Sequence, residues 1–264
     1  MAETLRMTPL IEQYVKIKQQ HMDEVLFFRV GDFYEMFNED AINVSRLLNL
    51  TLTHKGENPM CGVPFHASKV YIARLLRMGK KVAVCEQIGE ISQSGGLTDR
   101  KVTEIITPGT ALDSEFLDQN TNSFLSSLCI SHGKTGFAYI DVTTSEFKAT
   151  SWNVSALAEF FPKELGRCNP KEILLPLSLK ENAVIKSTLE QNPSISVSYY
   201  PDWHFNAESA YKKLNAQFKT ANLNSFGLSE QSAEILPAGF LLEYLEKTTN
   251  TQIPHIKNIK VYHD

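Results

Sequence analysis

Two side chains of different chemistry, the ring of Phe33 and the carboxylate of Glu35, lie two positions apart and follow an apolar run at 25–28. Before them, Gly31-Asp32 favours a tight turn, because Gly accepts a positive φ and Asp can bond its own backbone. If the chain continues as a strand, alternation places Phe33, Glu35 and Phe37 on one face. A core face would not place a carboxylate between two phenylalanines, so we expect Phe33 and Glu35 to act together on a ligand. Alternation alone also allows a core ring beside a solvated glutamate.

Helix and strand signals are mixed around this hairpin. Thr8 is a good N-cap and Pro9 suits the first helical position, so we expect a helix to begin there. A flexible loop is expected at 92–96. In chain order the sequence predicts a helix to about Met22, the hairpin 25–37, helix 39–49, strand 50–54, loop 55–64, helix 67–79, and strands 81–87 and 101–106. This mixture predicts an α/β or α+β first domain.

The second half of the chain begins with strands and then alternates. The polar stretch 113–122 predicts a boundary, which gives domains at 1–115 and 123–264. The expected elements are strands 123–131, 136–142 and 145–152, helix 154–165, strand 172–175, helix 180–190, strand 195–200, helix 206–218, and a helical stretch 229–247 interrupted at Pro237. This order suits a mixed sheet flanked by helices.

Composition limits the class of protein. A hydrophobic content of 42% and a charged content of 21% are typical of a globular protein. No apolar run approaches the ~20 residues of a membrane helix, so we expect no membrane contact, no export and a cytoplasmic location. The scattered Cys61, Cys85, Cys129 and Cys168 form no Cys-x-x-Cys pair, which favours reduced, buried thiols.

The net charge does not by itself indicate nucleic-acid binding. It is −4 for the whole chain, and residues 1–118 carry 13 Lys+Arg against 16 Asp+Glu. Basic residues are nevertheless clustered at 69–81, a segment without an acidic residue. Because only one face of a protein meets phosphate, this local cluster keeps a nucleic-acid ligand possible.

A series of motifs resembles those of the MutS family of DNA mismatch-repair proteins. The segment 31–37 (GDFYEMF) is similar to the family's mismatch-reading signature. The other motifs are Thr8-Pro9-Leu10 with Gln13-Tyr14 and Lys18, 60–67 (MCGVPFHA), 84–87 (VCEQ), 106–110 (ITPGT), and 138–142 (AYIDV) with 145–147 (SEF). The resemblance implies a mixed-sheet α/β mismatch-binding domain, followed by an α/β connector domain of ribonuclease-H-like layout.

The same resemblance implies roles for individual residues. Phe33 matches the ring that wedges between base steps from the minor groove, and Glu35 matches the acid that contacts the mispaired base. The resemblance also implies, with less support, DNA contacts for Lys55, Met60 and Pro64, and the basic cluster suggests phosphate contacts for Arg74, Arg77 and Lys81. Simple loop packing is the alternative for Met60 and Pro64, and a solvated basic face is the alternative for Arg74, Arg77 and Lys81. Glu104 stands where the family often has a basic residue, so one phosphate contact is expected to be absent.

The resemblance also implies a longer protein. The family has a C-terminal ATPase, so ATP, Mg²⁺ and a homodimer are expected for the full length, and no catalysis for this chain. The Gly-Lys pairs at 79–80 and 133–134 do not fit a Walker A motif, because Arg74 and Leu128 stand where its first glycine is required. A MutL-type partner is expected at the connector domain, and Lys212 and Lys213 are the candidate docking residues or else a solvated face.

Two alternatives to mismatch recognition remain open from the sequence. The second half could be a metal-dependent nuclease of ribonuclease-H-like fold, with Asp141 on an early strand as its first metal ligand. A convincing set of partner acids is not visible, since Glu146, Glu159 and Glu172 are typical of surface charges. The second half could instead be purely a protein-docking module.

Overall fold

The computed structural model describes residues 8–89, 98–111, 123–249 and 253–263. The chain divides into two compact units, Met1–Thr107 and Pro108–Asp264. In the described residues, no helix combines the length and the apolar character that crossing a bilayer requires. The loop expected at 92–96 and the whole of the stretch 113–122 lie outside the described residues.

The first unit has a mixed sheet with helices on both faces. In its described part the strand order is β3-β4-β2-β1-β5-β6, and β1 and β5 are parallel while the other neighbours are antiparallel. The elements are α1 (Pro9–Lys18), β1 (Glu24–Val30), β2 (Phe33–Phe37), α2 (Asn38–Leu48), β3 (Thr53–Lys55), β4 (Asn58–Pro64), α3 (Ser68–Arg77), β5 (Lys81–Ile88) and β6 (Asp99–Ile106).

Alternation along the strands divides the core of this unit into two layers. On one face, Phe28 and Phe37 are fully buried and pack edge-on against Tyr14 of α1. The opposite face carries the buried Phe27 and Met36 and is covered by α2 and α3. Helix α1 therefore covers only part of this face of the sheet. It leaves the beginning of β2, ahead of Phe37, uncovered.

A buried carboxylate connects three elements of the first unit. Asp40 of α2 accepts hydrogen bonds from the Tyr14 hydroxyl at 2.9 Å and from the Leu26 backbone N–H of β1 at 3.0 Å. The Lys18 ammonium of α1 lies 2.9 Å from its other oxygen. Because all these partners bond one side chain, Asp40 fixes α1 and α2 relative to the β1–β2 hairpin.

The second unit is a mixed sheet between two helical layers. In the described residues its strand order is β11-β10-β7-β8-β9-β12. The elements are β7 (Leu125–Ser131), β8 (Lys134–Asp141), β9 (Glu146–Asn153), α4 (Leu157–Cys168), β10 (Glu172–Pro176), α5 (Ala183–Glu190), β11 (Ser196–Tyr200), α6 (Ala207–Phe218), α7 (Ile235–Thr249) and β12 (Lys260–Val261). Three antiparallel strands followed by parallel pairings match the layout that the sequence predicts.

Each face of the second sheet has its own core. Leu174 faces the layer of α6 and α7, and the neighbouring Ile173 and Leu175 face the layer of α4 and α5. Helices α6 and α7 approach closely at Gly239, where an added Cβ would lie 2.4 Å from the Ala210 Cβ. An α/β architecture with two mixed sheets is therefore confirmed.

The segment that opens the second unit is bonded to a fully buried carboxylate. The Gly109 N–H donates to one oxygen of Glu172 at 3.2 Å, and the Tyr244 hydroxyl donates to the other at 3.0 Å. A Cβ at Gly109 would lie 2.7 Å from the side chain of Leu125. Glycine is therefore required here by close packing. Glu172, taken from the sequence as a surface charge, is instead a core residue.

Several expected elements differ from the structure. The region 55–64, expected to be a loop, contains strand β4, and the strand expected at 50–54 is the shorter β3. The first helix ends at Lys18 instead of Met22. Pro237 does not interrupt the last helix, because α7 begins at Ile235 and the proline lies in its first turn, where its missing N–H would have no helical acceptor.

All four cysteines are buried with free thiols, as the sequence predicts. Burial raises the pKa of the Cys61 thiol to about 11, and that of the other three to about 12. These thiols are therefore almost entirely protonated at neutral pH.

Candidate nucleic-acid interface

Phe33 is an exposed ring at the beginning of β2. Gly31 has a φ of +57°, and a positive φ at the first of two turn residues is typical of a type II′ hairpin turn. The Phe65 N–H donates to the Asp32 carbonyl at 2.8 Å and fixes the turn to the end of β4. The Phe33 side chain remains 47% exposed. It is therefore a ring held in place by backbone bonds and is not part of the core.

Glu35 lies on the same face of the sheet as Phe33, and strand β4 is paired with β2 beside both residues. Phe33 is paired with Pro64, and Glu35 is paired with Gly62. Phe37, the next residue of this face, is paired with Met60 and closes the core. Met60 and Pro64 therefore lie beside the Phe33–Glu35 face, in a strand and not in the loop that the sequence predicts.

Gly62 was not singled out from the sequence. An added Cβ at Gly62 would lie 3.2 Å from the Tyr34 carbonyl oxygen and 3.8 Å from the Glu35 Cγ, so the glycine leaves room beside Glu35 that a side chain would occupy.

The carboxylate of Glu35 is paired with Lys55. The Lys55 Nζ lies 2.8 Å from Oε2 of Glu35, and the Glu35 side chain is only 15% exposed while that of Lys55 is 41% exposed. Lys55 ends β3, which is separated from β2 by β4. The sequence analysis predicts Lys55 as a DNA contact. In the structure its ion pair with Glu35 holds it on the face that carries Phe33 and Glu35.

Arg100 of β6 is a cation of this region that the sequence analysis missed. Its guanidinium donates to the Arg29 carbonyl at 2.6 Å and to the Gln13 side chain at 2.8 Å, and it lies 4.9 Å from the centre of the Phe28 ring. Burial lowers the pKa of Arg100, and the negative charge of Glu35 acts in the opposite direction. Arg100 therefore braces β1 and α1 and contributes positive potential near Glu35.

A second group of side chains stabilises the hairpin from the opposite face. The Arg29 guanidinium stacks 3.5 Å from the centre of the Phe65 ring, and the Tyr34 hydroxyl donates to Glu86. Burial raises the pKa of Tyr34, so its hydroxyl remains a donor at neutral pH. The Arg29–Phe65 stack holds the end of β1 against the residue that follows β4. The sequence signal for this stack was the arginine two residues before the turn motif.

The basic cluster at 69–81 does not form one face. Arg74 is half-buried and Arg77 is exposed on α3, but Lys81 begins β5 and is 8% exposed. Lys81 therefore does not share a helix face with Arg74 and Arg77, because the helix ends at Arg77 and Lys81 begins a strand of the core sheet. Glu104 is exposed on β6, opposite Val84.

The two lysines proposed for partner docking are paired within the second unit. Lys212 forms an exposed ion pair with Glu208 one helical turn earlier. Lys213 is half-exposed and pairs with Glu246 of α7. Charge on this face of α6 is therefore compensated locally, and Lys213 connects two helices.

Asp141 caps a turn of the second sheet. One of its oxygens accepts hydrogen bonds from the Thr143 N–H at 2.9 Å and the Thr143 hydroxyl at 2.6 Å. Among the residues that the structure describes, no group of three or more His, Cys, Asp or Glu side chains could hold a metal ion. The nuclease alternative thus has no ligand set around Asp141 in the described ranges.

Comparison with known proteins agrees with this arrangement. Residues 8–115 match the family model for MutS domain I, and residues 122–257 match that for MutS domain II. The DNA mismatch repair protein MutS of Treponema denticola is 50% identical over 266 residues, which cover 97% of this chain and 30% of that protein. The proteins of the same name from Treponema pallidum strain Nichols and Desulfatibacillum aliphaticivorans are 44% and 37% identical, and this chain spans 28% and 29% of their length.

Both domain models fall on the two units of the fold, and the first of them contains the exposed ring, its neighbouring acid and the open strand face. With 97% of its length aligned to these relatives, the chain is a member of the MutS family of DNA mismatch-repair proteins.

Proposed function

We propose that this chain recognises mispaired or unpaired bases in duplex DNA, with Phe33 as a minor-groove wedge and Glu35 as the group that contacts the displaced base. The observation that carries the proposal is the open face of β2, on which an exposed aromatic ring and a carboxylate lie side by side above the glycine of β4. Family membership supports the DNA ligand, and the geometry supports the choice of residues.

The wedge selects mispairs by the energy of unstacking. Separating two base steps costs a few kcal/mol in sound duplex and less where a base is mispaired. A ring that stacks on the separated base recovers about 1–3 kcal/mol. Because the recovered energy is similar at every site, the balance becomes favourable only where stacking is already weak. Phe33 needs no rearrangement to do this, since its ring is exposed in the free protein.

Glu35 adds discrimination through its charge and its hydrogen bonds. A carboxyl group can bond the edge of a base that has left the stack. Near the phosphates of sound duplex, a carboxylate that gains no such bond opposes binding. Gly62 adds no side chain beside Glu35, so Lys55 is the neighbouring side chain that pairs with this carboxyl.

The test compares binding to matched duplex with binding to the same duplex carrying one G·T mispair or one unpaired thymine, by fluorescence anisotropy. Phe33→Ala should reduce mispair affinity about tenfold or more and leave matched-duplex affinity nearly unchanged, because stacking is lost only where a base is separated. Phe33→Leu keeps apolar bulk without a ring and should give an intermediate loss. Trp203→Ala removes another exposed ring, 72% exposed in the second unit, and should change neither affinity. Unchanged discrimination in Phe33→Ala would contradict the wedge role.

The remaining properties expected for the family are part of the same proposal and have less structural support. This chain spans about 30% of its relatives' length, and we assign ATP, Mg²⁺, the homodimer and a cytoplasmic location to the full-length protein. We place docking of a MutL-type partner on the second unit. Lys212 is its better candidate residue, because its pair with Glu208 is exposed and weak, while Lys213 bonds α7. A pull-down with MutL after charge reversal at Lys212 tests this assignment.

A further inference from the structure

Lys55 is positioned to control when Glu35 can act. It forms an ion pair with Glu35, and it reaches the acid from β3, a strand that is not adjacent to β2. On the way its Nζ lies 5.9 Å from the centre of the Phe37 ring. The pair therefore lies on the same face as the exposed ring, between the core and the wedge.

The two partners differ in freedom of movement. Glu35 lies on β2, which is bonded on both sides by β1 and β4. Lys55 ends a three-residue edge strand whose residues are all exposed, next to a turn at Gly56 with a φ of +64°. A flexible side chain on an edge strand can change partners without disturbing the core. The ion pair can thus open by movement of Lys55 alone.

We propose that Lys55 is the internal counter-ion of Glu35 and sets its specificity: the pair stays closed on sound duplex and opens at a mispair, where Glu35 turns to the base and Lys55 to a phosphate. This inference rests on the proposed function. On sound duplex the pair stays closed, so Glu35 gains no bond to a base and Lys55 offsets part of its repulsion of the phosphates. At a mispair both charges gain new partners. Opening the pair costs free energy, so only a mispair that offers Glu35 and Lys55 favourable new bonds opens it.

A double-mutant cycle with nearly isosteric changes tests the exchange. Glu35→Gln, Lys55→Met and the double variant are compared with the native chain on both duplexes, in the 264-residue protein and in any longer polypeptide that contains it. If the pair opens at the mispair, Glu35→Gln should cost about two- to fivefold more mispair affinity in the Lys55→Met background than in the native background, which is the range expected for a partly exposed ion pair. On matched duplex the effects of Glu35→Gln and Lys55→Met on affinity should be additive.

Control variants and alternative outcomes make the test decisive. The exposed pair Lys163–Glu159 has the same separation of 2.8 Å, and its cycle should show no coupling on either duplex. Equal coupling on both duplexes, or none on the mispair, would overturn the exchange. Coupling of the opposite sign on the mispair would also overturn the exchange. In that case Glu35 would contribute more to mispair affinity when Lys55 is present, because Lys55 would hold the acid on the base. Loss of mispair preference in the native protein would instead refute the proposed function itself.

Discussion

The close approach of α6 and α7 at Gly239 provides a quantitative test of the second unit. In Gly239→Ala the new Cβ would lie 2.4 Å from the Ala210 Cβ and 2.5 Å from its Cα. Both helices are buried here, so relief requires a backbone shift instead of a side-chain rotation. Overpacking of this kind costs about 1–3 kcal/mol. Alanine in a helix also returns about 0.5–1 kcal/mol relative to glycine.

Gly166 of α4 is the matched control, because an added Cβ there would meet nothing within 4 Å. Gly166→Ala gains the same helical preference without the clash and should stabilise the unit by about 0.5–1 kcal/mol. The helical term cancels in the comparison of the two variants. Their difference in free energy of unfolding should therefore equal the packing term alone, about 1–3 kcal/mol.

The two tryptophans provide the assay. Trp152 and Trp203 are the only tryptophans of the chain, and both belong to the second unit. Urea unfolding followed by tryptophan fluorescence therefore reports on this unit, and the shift of the midpoint gives the change in stability. A Gly239→Ala variant as stable as Gly166→Ala would show that α6 and α7 are not as tightly packed as described.

Two further predictions concern the first unit and the thiols. Asp40→Ala should lower the stability of the first unit by about 2–4 kcal/mol, because buried partners lose their acceptor, and hydrogen exchange at the Leu26 amide should accelerate. Asp40→Asn keeps an acceptor and should cost less. Alkylation of the native protein at pH 8 should be slow and should become fast only in denaturant, since thiolate is the reactive form and the raised pKa values keep it scarce at Cys61, Cys85, Cys129 and Cys168. Rapid native labelling would contradict this burial.

The hairpin that carries Phe33 and Glu35 follows from local chemistry. An apolar run, a glycine suited to a positive φ, and alternation after it predict both strands, and the structure pairs Phe28 with Glu35 across them. The exposure of Phe33 could be predicted because a carboxylate two residues later marks an open face. The extent of the helices was less accurate, since helix ends depend on packing.

Strand β4 could not be predicted because its two prolines and its glycine are typical of loops. Pro59 is paired only with β3, and Pro64 is paired only with β2. At each position the proline has one neighbouring strand, so its missing N–H leaves no ladder bond unmade on the other side. This property depends on how far each neighbouring strand extends, which a local pattern does not contain. The Lys55–Glu35 pair was missed for the same reason, because its partners lie on strands that are not adjacent.

The bond from Gly109 to Glu172 has a practical consequence for anyone isolating the second unit. A polypeptide that starts at Ser123 would omit this glycine, although every strand of the sheet would be retained. One oxygen of the buried Glu172 carboxylate would then lose the Gly109 N–H as a donor, and the space filled by the glycine beside Leu125 would become a void. Extending the amino terminus back to Pro108, where the second compact unit begins, restores both.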